Sequence, residues 1–231
     1  MQKLTIIGCG NVGKSLGRLW SQTGVFKICQ ILNQSPASSE AAIAWIGSGE
    51  TAPKISELKP ADIFLISTPD DSLESTAKLL AESAALKPRN IVLHCSGALR
   101  SSILDAVQNR GALTASVHPI KSFTTPCAHL SDFQGTFCGC EGQPEALEIL
   151  EPAFRKIGAT HFNINPEQKS LYHAASVISS NYLTSLIEVS AQTYEKAGIP
   201  RELAIPVILP MLLGSRQENL KHGPAKALTG S

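Results

Sequence analysis

The feature that most constrains this chain is a glycine-rich turn close to its first residue. Residues 3–7 form an apolar, β-branched run, and Gly8-Cys9-Gly10-Asn11-Val12-Gly13 follows directly, before apolar residues at helical spacing. In a strand, turn and helix of this kind, Gly8 permits the sharp turn, Gly10 lets the backbone approach a pyrophosphate, and Gly13 allows close helix–strand packing. The pattern therefore predicts a dinucleotide site at the N-terminus of the helix. The residues expected to contact the cofactor here are Gly8, Gly10, Asn11, Val12 and Gly13.

The end of the second predicted strand, residues 27–33, bears on the choice of cofactor. Proteins that prefer NAD place a carboxylate here to bind the ribose 2′-hydroxyl, and a carboxylate repels a 2′-phosphate. This chain has Asn33, Gln34 and Ser35 instead, and we expect these residues to border the cofactor. The missing carboxylate favours NADP, whereas the missing arginine leaves NAD open. A plain helix cap is the alternative interpretation of this polar stretch.

A third predicted strand, residues 62–67, ends at Ser67-Thr68-Pro69. Because the carboxyl ends of parallel strands carry the ligand, we expect Ser67, Thr68 and Pro69 to border the ribose and nicotinamide. Asp70 and Asp71 follow. They are either an acid/base pair or, as acidic residues at a helix N-terminus, part of an electrostatically favoured cap.

Two further predicted strands, residues 91–94 and 113–117, also end in polar residues. His94 and Ser96 lie at the end of the first, and His118 at the end of the second. We expect His94 beside the cofactor and Ser96 and His118 at the reacting group. Structural histidines are the alternative.

Strands and helices alternate up to about residue 163, with further strands predicted at 136–140 and 160–164. This alternation predicts an α/β fold, a Rossmann-type, doubly wound and mostly parallel sheet. From residue 167 the pattern is helical. It predicts helices over 167–198, 201–213 and 214–221, with Pro206 and Pro210 breaking the second. The predicted domains are 1–163, which binds the dinucleotide, and 164–231, a small all-α domain.

Composition excludes several partners and sites. The 231 residues contain 20 basic and 19 acidic side chains, so no net field attracts nucleic acid or an anionic membrane. The apolar segments are too short to span a membrane, and the first strand begins without a leader. We therefore expect a cytoplasmic protein with no nucleic-acid or membrane partner. The six cysteines show no metal-binding spacing, so no metal site is predicted.

Several motifs occur in order along nearly the whole chain: the glycine turn, Pro69-Asp70-Asp71, residues 94–99 (HCSGAL), 118–123 (HPIKSF), 169–175 (KSLYHAA), 180–183 (SNYL) and 223–230 (GPAKALTG). The set resembles the Rossmann-like oxidoreductases with an uncharacterised all-helical C-terminal domain. These are relatives of pyrroline-5-carboxylate reductase, 6-phosphogluconate dehydrogenase and deazaflavin-dependent NADP oxidoreductases. The resemblance implies an NADP-binding domain, a helical domain that forms a homodimer, and an active site in the cleft between domains. Members usually carry arginine where this chain has Gln34, and they continue where this chain stops at Ser231. Either the helical domain is naturally shortened or the sequence is truncated.

The first C-terminal helix supplies further candidate catalytic residues. Lys169 and His173 lie four residues apart and share one face, and Asn181 follows two turns later. We expect His173 to be the general acid/base, because histidine titrates nearest neutral pH, and Asn181 to orient the substrate. A solvated Lys169 and a helix–helix hydrogen bond from Asn181 are the alternatives.

Two functions follow from these residues. The first is an NAD(P)-dependent oxidoreductase that acts on a small polar C=O, C–OH or C=N compound. The second is a non-catalytic dinucleotide-binding or regulatory protein with an incomplete substrate pocket.

Overall fold

The computed structural model describes residues 1–227. Strands and helices alternate in the order β1 (Lys3–Ile7), α1 (Asn11–Gln22), β2 (Lys27–Leu32), α2 (Pro36–Ile46), β3 (Glu50–Thr51), β4 (Ile63–Ile66), α3 (Asp70–Glu82), β5 (Ile91–His94), α4 (Asp105–Gln108), β6 (Leu113–Pro119), β7 (Phe137–Gly142), α5 (Pro144–Lys156) and β8 (Thr160–Asn163). The predicted alternation is confirmed. The two-residue strand β3 is an addition, because so short a strand leaves no periodic pattern in the sequence.

The strands form one eight-stranded sheet in the order β3-β2-β1-β4-β5-β6-β7-β8. Every neighbouring pair is parallel except β6 and β7, which are antiparallel. The predicted Rossmann-type, mostly parallel sheet is therefore confirmed. The direction of strand order reverses between β1 and β4, and ligands of open α/β sheets bind at the carboxyl ends of such a pair.

Helices cover both faces of the sheet, which explains why β1, β4 and β5 are nearly continuous apolar runs. On one face, α1, α2 and α5 bury residues such as Leu16, Ala42 and Leu150. On the other face, α3 and α4 bury residues such as Leu80 and Val107. The two apolar layers fix the sheet, and the sheet fixes the turns at its carboxyl edge.

Helices make up the rest of the described chain: α6 (Lys169–Val177), a π-helical turn (Ile178–Tyr182), α7 (Leu183–Lys196), α8 (Arg201–His222) and α9 (Pro224–Ala227). The predicted break at Pro206 and Pro210 is wrong, because α8 runs through both prolines. Both prolines are exposed, and on an exposed side water can satisfy the carbonyl groups that lose a backbone partner.

The chain divides into two compact units, Met1–Ala174 and Ala175–Ser231. The first unit therefore includes the first turns of α6, with Lys169 and His173. The domain boundary expected at residues 163/164 stays a prediction. The last three residues of the predicted 223–230 motif, 228–230, lie outside the described residues.

The second unit has a small core of its own. Its buried apolar cluster consists of Ala191, Ala204 and Ile208. Large apolar side chains on the same helices are exposed, and they include Leu186 at 61% and Met211 at 63%. Within residues 1–227 no helix is both long enough and apolar enough to cross a membrane.

Candidate functional site

A cavity of about 1060 Å³ lies at the carboxyl edge of the sheet, where the strand order reverses. We call it the glycine-turn cavity. Its walls come from the segments after β1, β2, β3 and β4 and from one side of α3. The lining residues are Ile7, Gly8, Cys9, Gly10, Lys14, Leu32, Asn33, Gln34, Ser38, Lys54, Ile55, Ser56, Ser67, Thr68, Pro69, Ser72, Thr76, Leu79, Glu82 and Ser83.

The three glycines of the turn differ in what surrounds them. Gly8 has φ +80°, and a Cβ there would lie 2.6 Å from the backbone nitrogen of Thr68. A Cβ on Gly13 would lie 2.6 Å from Ser67 Oγ. A Cβ on Gly10 would meet no atom of the described residues within 4 Å. Packing within the protein therefore requires glycine at positions 8 and 13, whereas at position 10 the space is open toward a ligand.

The turn after β4 forms one hydrogen bond to the glycine turn and contains one buried hydroxyl without a partner in residues 1–227. Ser67 Oγ donates to the carbonyl oxygen of Gly8 at 2.6 Å. Thr68 Oγ1 is buried and has no hydrogen-bond partner among residues 1–227. A buried hydroxyl without a partner is costly, and Thr68 is one of the residues that line the cavity.

The residues expected to border the ribose differ in whether their side chains are already hydrogen-bonded within the protein. Asn33 lines the cavity, but its side chain is engaged: Oδ1 accepts from the Cys9 N–H at 2.5 Å, and Nδ2 donates to the Ser38 carbonyl at 2.9 Å. Ser35 caps α2, because its Oγ accepts from the Ser38 N–H at 3.3 Å. Gln34 and Ser38 line the cavity as well. The helix-cap interpretation thus applies to Ser35.

Several predicted cofactor residues do not line the cavity. Asn11 Nδ2 donates to the carbonyl oxygens of Phe123 and Thr124 at 2.8 and 3.1 Å. Val12 packs against the core on the α1 face of the sheet. Their contact with a cofactor, like that of Gly13, Ser35 and His94, stays a prediction.

Two lysines of the cavity wall were missing from the prediction. Lys14 lies in the first turns of α1, and Lys54 follows β3. Because β3 pairs in parallel with β2, Lys54 lies at the same edge as Gln34. Lys54 also forms an exposed ion pair with Glu57 at 2.9 Å. The sequence signal for Lys54 was weak, because recognising its place depends on finding a two-residue strand.

Lys169 is the centre of a polar cluster that we call the buried lysine network. Lys169 is 0% exposed, and its Nζ donates to Ser116 Oγ and, at 2.9 Å, to Glu141 Oε1. Glu141 in turn accepts from the N–H of Ser101 at 2.7 Å and from its hydroxyl at 2.6 Å. Burial lowers the pKa of Lys169, and the hydrogen bond to Glu141 opposes that shift. The solvated alternative for Lys169 is wrong, and its catalytic role stays a prediction.

His94 and Ser96 are committed to contacts within the protein. His94 Nδ1 accepts from the Ser96 N–H and Nε2 donates to the Arg100 carbonyl, both at 3.1 Å. Burial and the nearby charge of Lys169 lower the pKa of His94 to about 3. Ser96 Oγ donates to Asp70 Oδ2 at 2.8 Å and accepts from the backbone N–H of Leu99 at 3.0 Å. These hydrogen bonds hold the turn after β5 in place, so the polar groups of His94 and Ser96 are already engaged within the protein.

The structure brings His118 and His173 together at the carboxyl edge. Their ring centroids lie 5.8 Å apart, and both rings lie against Gly97. Burial, then the positive charges of His173 and Lys169, lower the pKa of His118 to about 4. His118 is therefore neutral at neutral pH, so one of its ring nitrogens carries a hydrogen and the other a lone pair.

Asn181 belongs to the second unit, in the π-helical turn Ile178–Tyr182, and it is exposed. Its backbone carbonyl accepts from Ser185 Oγ at 3.1 Å. A role for Asn181 in orienting a substrate stays a prediction.

Comparisons with known proteins place the chain in a family. Residues 2–119, just over half of the chain, match the model of the Rossmann-like domain. The chain belongs to the Rossmann-like family. Residues 136–231 match the model of DUF2520, a domain of unknown function. The predicted resemblance to Rossmann-like proteins with an uncharacterised C-terminal domain is confirmed. No curated protein sequence matched the chain.

Solved structures share the fold of this Rossmann-like chain. A proposed NADP oxidoreductase from Bacteroides fragilis is 18% identical with a TM-score of 0.80, and the alignment covers 99% of this chain and 84% of that protein. Protein TM1727 from Thermotoga maritima is 26% identical with a TM-score of 0.74, and the alignment covers 98% of this chain and 82% of that protein. A pyrroline-5-carboxylate reductase from Coxiella burnetii is 15% identical with a TM-score of 0.69, and the alignment covers 100% of this chain and 86% of that protein.

Proposed function

We propose that this protein is an NAD(P)-dependent oxidoreductase that acts on a small polar C=O, C–OH or C=N compound. The observation that carries the proposal is the glycine-turn cavity at the switch point of the sheet. In its wall, Gly10 faces open space, and the hydroxyl of Thr68 has no hydrogen-bond partner among residues 1–227. The names of the structural relatives from Bacteroides fragilis and Coxiella burnetii support the same class of reaction.

The residues of the cavity fit a dinucleotide. The helix α1 begins at Asn11, directly after Gly10, and the positive end of its dipole favours a diphosphate there. The apolar side chains of Ile55 and Leu79 line the same cavity and suit a flat base. When bound, the nicotinamide supplies the hydride chemistry. Thr68 would hydrogen-bond the cofactor, and His118 and His173 would hold or move the proton of the substrate.

NADP is the cofactor that the cavity favours over NAD. The wall next to the end of β2 carries Gln34, Ser38 and the cation of Lys54. The acidic residue that lines the described cavity is Glu82, the last residue of α3. A 2′-phosphate is stabilised by a cation and by polar donors, whereas the ribose of NAD is usually bound by a carboxylate. The ion pair of Lys54 with Glu57 is exposed and therefore weak, so it can exchange for a phosphate contact.

The cofactor assignment is tested by calorimetry with NADPH and NADH. Wild-type protein should bind NADPH, and Gly10→Val should lose binding while its circular dichroism stays unchanged, because the side chain fills the space of the diphosphate. Gly214→Val is the matched control, since a Cβ there also meets open space but lies outside the cavity. Wild-type protein that binds neither nucleotide would overturn the assignment.

The preference for NADP is tested at Lys54. Lys54→Gln should weaken NADPH binding by about tenfold, as expected for the loss of one charge-assisted hydrogen bond, and should leave NADH binding unchanged. Lys59→Gln is the control, because Lys59 is a neighbouring lysine that pairs with Glu50 and does not line the cavity. Equal losses for both nucleotides would place Lys54 away from the 2′-phosphate.

A dinucleotide-binding regulatory protein is the second candidate. It is supported by Ser96 and Lys169, two expected catalytic residues whose polar groups are used within the protein. Turnover of NADPH with a panel of small carbonyl and imine compounds separates the two. Tight NADPH binding without turnover on any compound favours the regulatory protein.

We also propose that the helices of the second unit associate with a second copy of the chain. They expose Leu186, Val189 and Met211 by more than half, around a core in which three residues are buried within residues 175–227. Patches of this kind mark protein interfaces. Light scattering should give the mass of a dimer, and Leu186→Glu should shift it toward the monomer. Leu130→Glu, at an exposed leucine of the first unit, should not.

A cytoplasmic location is a further proposal. All six cysteines are free thiols, which suits a reducing compartment. Fractionation of cells that express the tagged protein tests it.

A further inference from the structure

A contact between β6 and α6 determines how His118 faces the carboxyl edge. His118 Nδ1 and the hydroxyl of Tyr172 lie 2.8 Å apart, within hydrogen-bond distance. The two rings meet edge to face, with centroids 5.6 Å apart and planes at 89°. One ring nitrogen of His118, Nδ1, is therefore occupied by a phenol, which leaves Nε2 for another contact.

The other nitrogen of His118 faces a point that it shares with His173. A Cβ built on Gly97 would lie 2.8 Å from His118 Nε2 and would also contact His173 Nδ1. Glycine is thus required at position 97 by the two rings. His173 Nδ1 is buried and has no hydrogen-bond partner within residues 1–227. Two imidazole nitrogens from different elements converge on one small space.

The direction of the Tyr172 hydrogen bond decides which nitrogen of His118 carries the proton. Burial raises the pKa of Tyr172 to about 12, so its hydroxyl keeps its hydrogen at neutral pH. The backbone of Gly139 hydrogen-bonds the same hydroxyl and lowers that pKa, which is the effect of a donor N–H on the phenol oxygen. An oxygen that already accepts from Gly139 is best placed to donate its own hydrogen to His118 Nδ1.

We propose that Tyr172 is a positioning residue that donates its hydroxyl hydrogen to Nδ1 of His118 and thereby keeps the ring proton of His118 on Nε2, facing His173. The inference deepens the proposed function and rests on it for the identity of the site.

The tautomer of His118 tests the proposal directly. Long-range ¹H–¹⁵N correlation spectra of protein labelled at histidine distinguish the two neutral tautomers, and a His118→Gln spectrum assigns the signals. Wild-type protein should show the Nε2–H form of His118. Tyr172→Phe keeps the ring but removes the donor, so the spectrum should shift toward the Nδ1–H form. Tyr194→Phe, on α7, should leave it unchanged.

Two outcomes would overturn the proposal: an Nδ1–H form in wild-type protein, or an unchanged tautomer in folded Tyr172→Phe protein. If that variant does not fold, the wild-type tautomer alone decides. NADPH binding is measured on the same samples and should be equal in wild-type and Tyr172→Phe protein. If wild-type protein does not bind NADPH, the proposed function is rejected. The tautomer measurement would still decide the role of Tyr172.

Discussion

The glycine-turn cavity and the buried lysine network lie at the same edge of one sheet, yet they satisfy their polar groups in opposite ways. In the cavity wall, Thr68 Oγ1 has no hydrogen-bond partner among residues 1–227, and a Cβ on Gly10 would meet none of their atoms within 4 Å. The network pairs the ammonium group of Lys169 with Glu141 and Ser116, and Glu141 with Ser101. Unpaired polar groups cost stability and are available to a ligand, whereas paired ones hold strands and helix together. We therefore expect the glycine-turn cavity to bind a ligand and the buried lysine network to stabilise the fold.

The largest expected effect comes from breaking the buried lysine network. Glu141→Gln leaves the Lys169 ammonium without a counter-charge at 0% exposure, which typically costs about 3–5 kcal/mol of unfolding free energy. Urea unfolding at pH 7 measures it. Glu74→Gln is the control, because it breaks the exposed Lys78–Glu74 pair and should change little. A loss for Glu141→Gln as small as that of the control would contradict a cohesive role for the network.

The same contrast explains how much the sequence could predict. The cavity is built from a local motif, so Gly8, Gly10, Ser67 and Thr68 were found from spacing alone, and the parallel sheet followed from alternation of elements. The network joins Glu141 on β7 to Lys169, 28 residues later. No local pattern marks that pair, because the antiparallel placement of β7 beside β6 brings it together. Lys169 was therefore expected in solvent or in the active site rather than buried.

A second prediction extends the comparison to pH. His94 and His118 have pKa values lowered to about 3 and about 4 from 6.5, so the unfolded chain binds protons more readily than the folded one. Stability is then fully present above pH 6.5 and is lost as pH falls below it, by about 1.4 kcal/mol per pH unit for each histidine until its folded pKa is reached.

Urea unfolding between pH 7 and pH 4.5 measures this slope. His94→Gln should reduce the slope by about half, because the contribution of His118 remains. His222→Gln, at an exposed histidine of α8, should leave the slope as it is. A wild-type protein whose stability is flat from pH 7 to pH 4.5 would show that neither histidine is held neutral.

A third prediction separates the glycines of the cavity from one another. Gly8→Ala should lower the unfolding free energy by about 2 kcal/mol, because Ala at φ +80° is strained and its Cβ would overlap the Thr68 backbone. Gly10→Ala should change stability by no more than about 0.5 kcal/mol, since its Cβ meets open space. Thermal and urea unfolding of the two variants test this, and equal losses would mean that position 10 is packed by the protein itself.

The smallest expected effect is that of Thr68→Val, which should stabilise the free protein but weaken its binding of NADPH. Thr68→Val replaces an unpartnered buried hydroxyl by a methyl group, so it should raise the unfolding free energy by about 1 kcal/mol and weaken NADPH binding about fivefold to tenfold. Thr5 provides a matched control, because Thr5 Oγ1 on β1 is also buried without a partner in the described chain but does not line the cavity. Thr5→Val should be similarly stabilised with NADPH affinity unchanged. If Thr68→Val bound NADPH as tightly as the wild type, the unpaired hydroxyl would be a packing defect like that of Thr5, and the cavity would lose its clearest sign of a ligand.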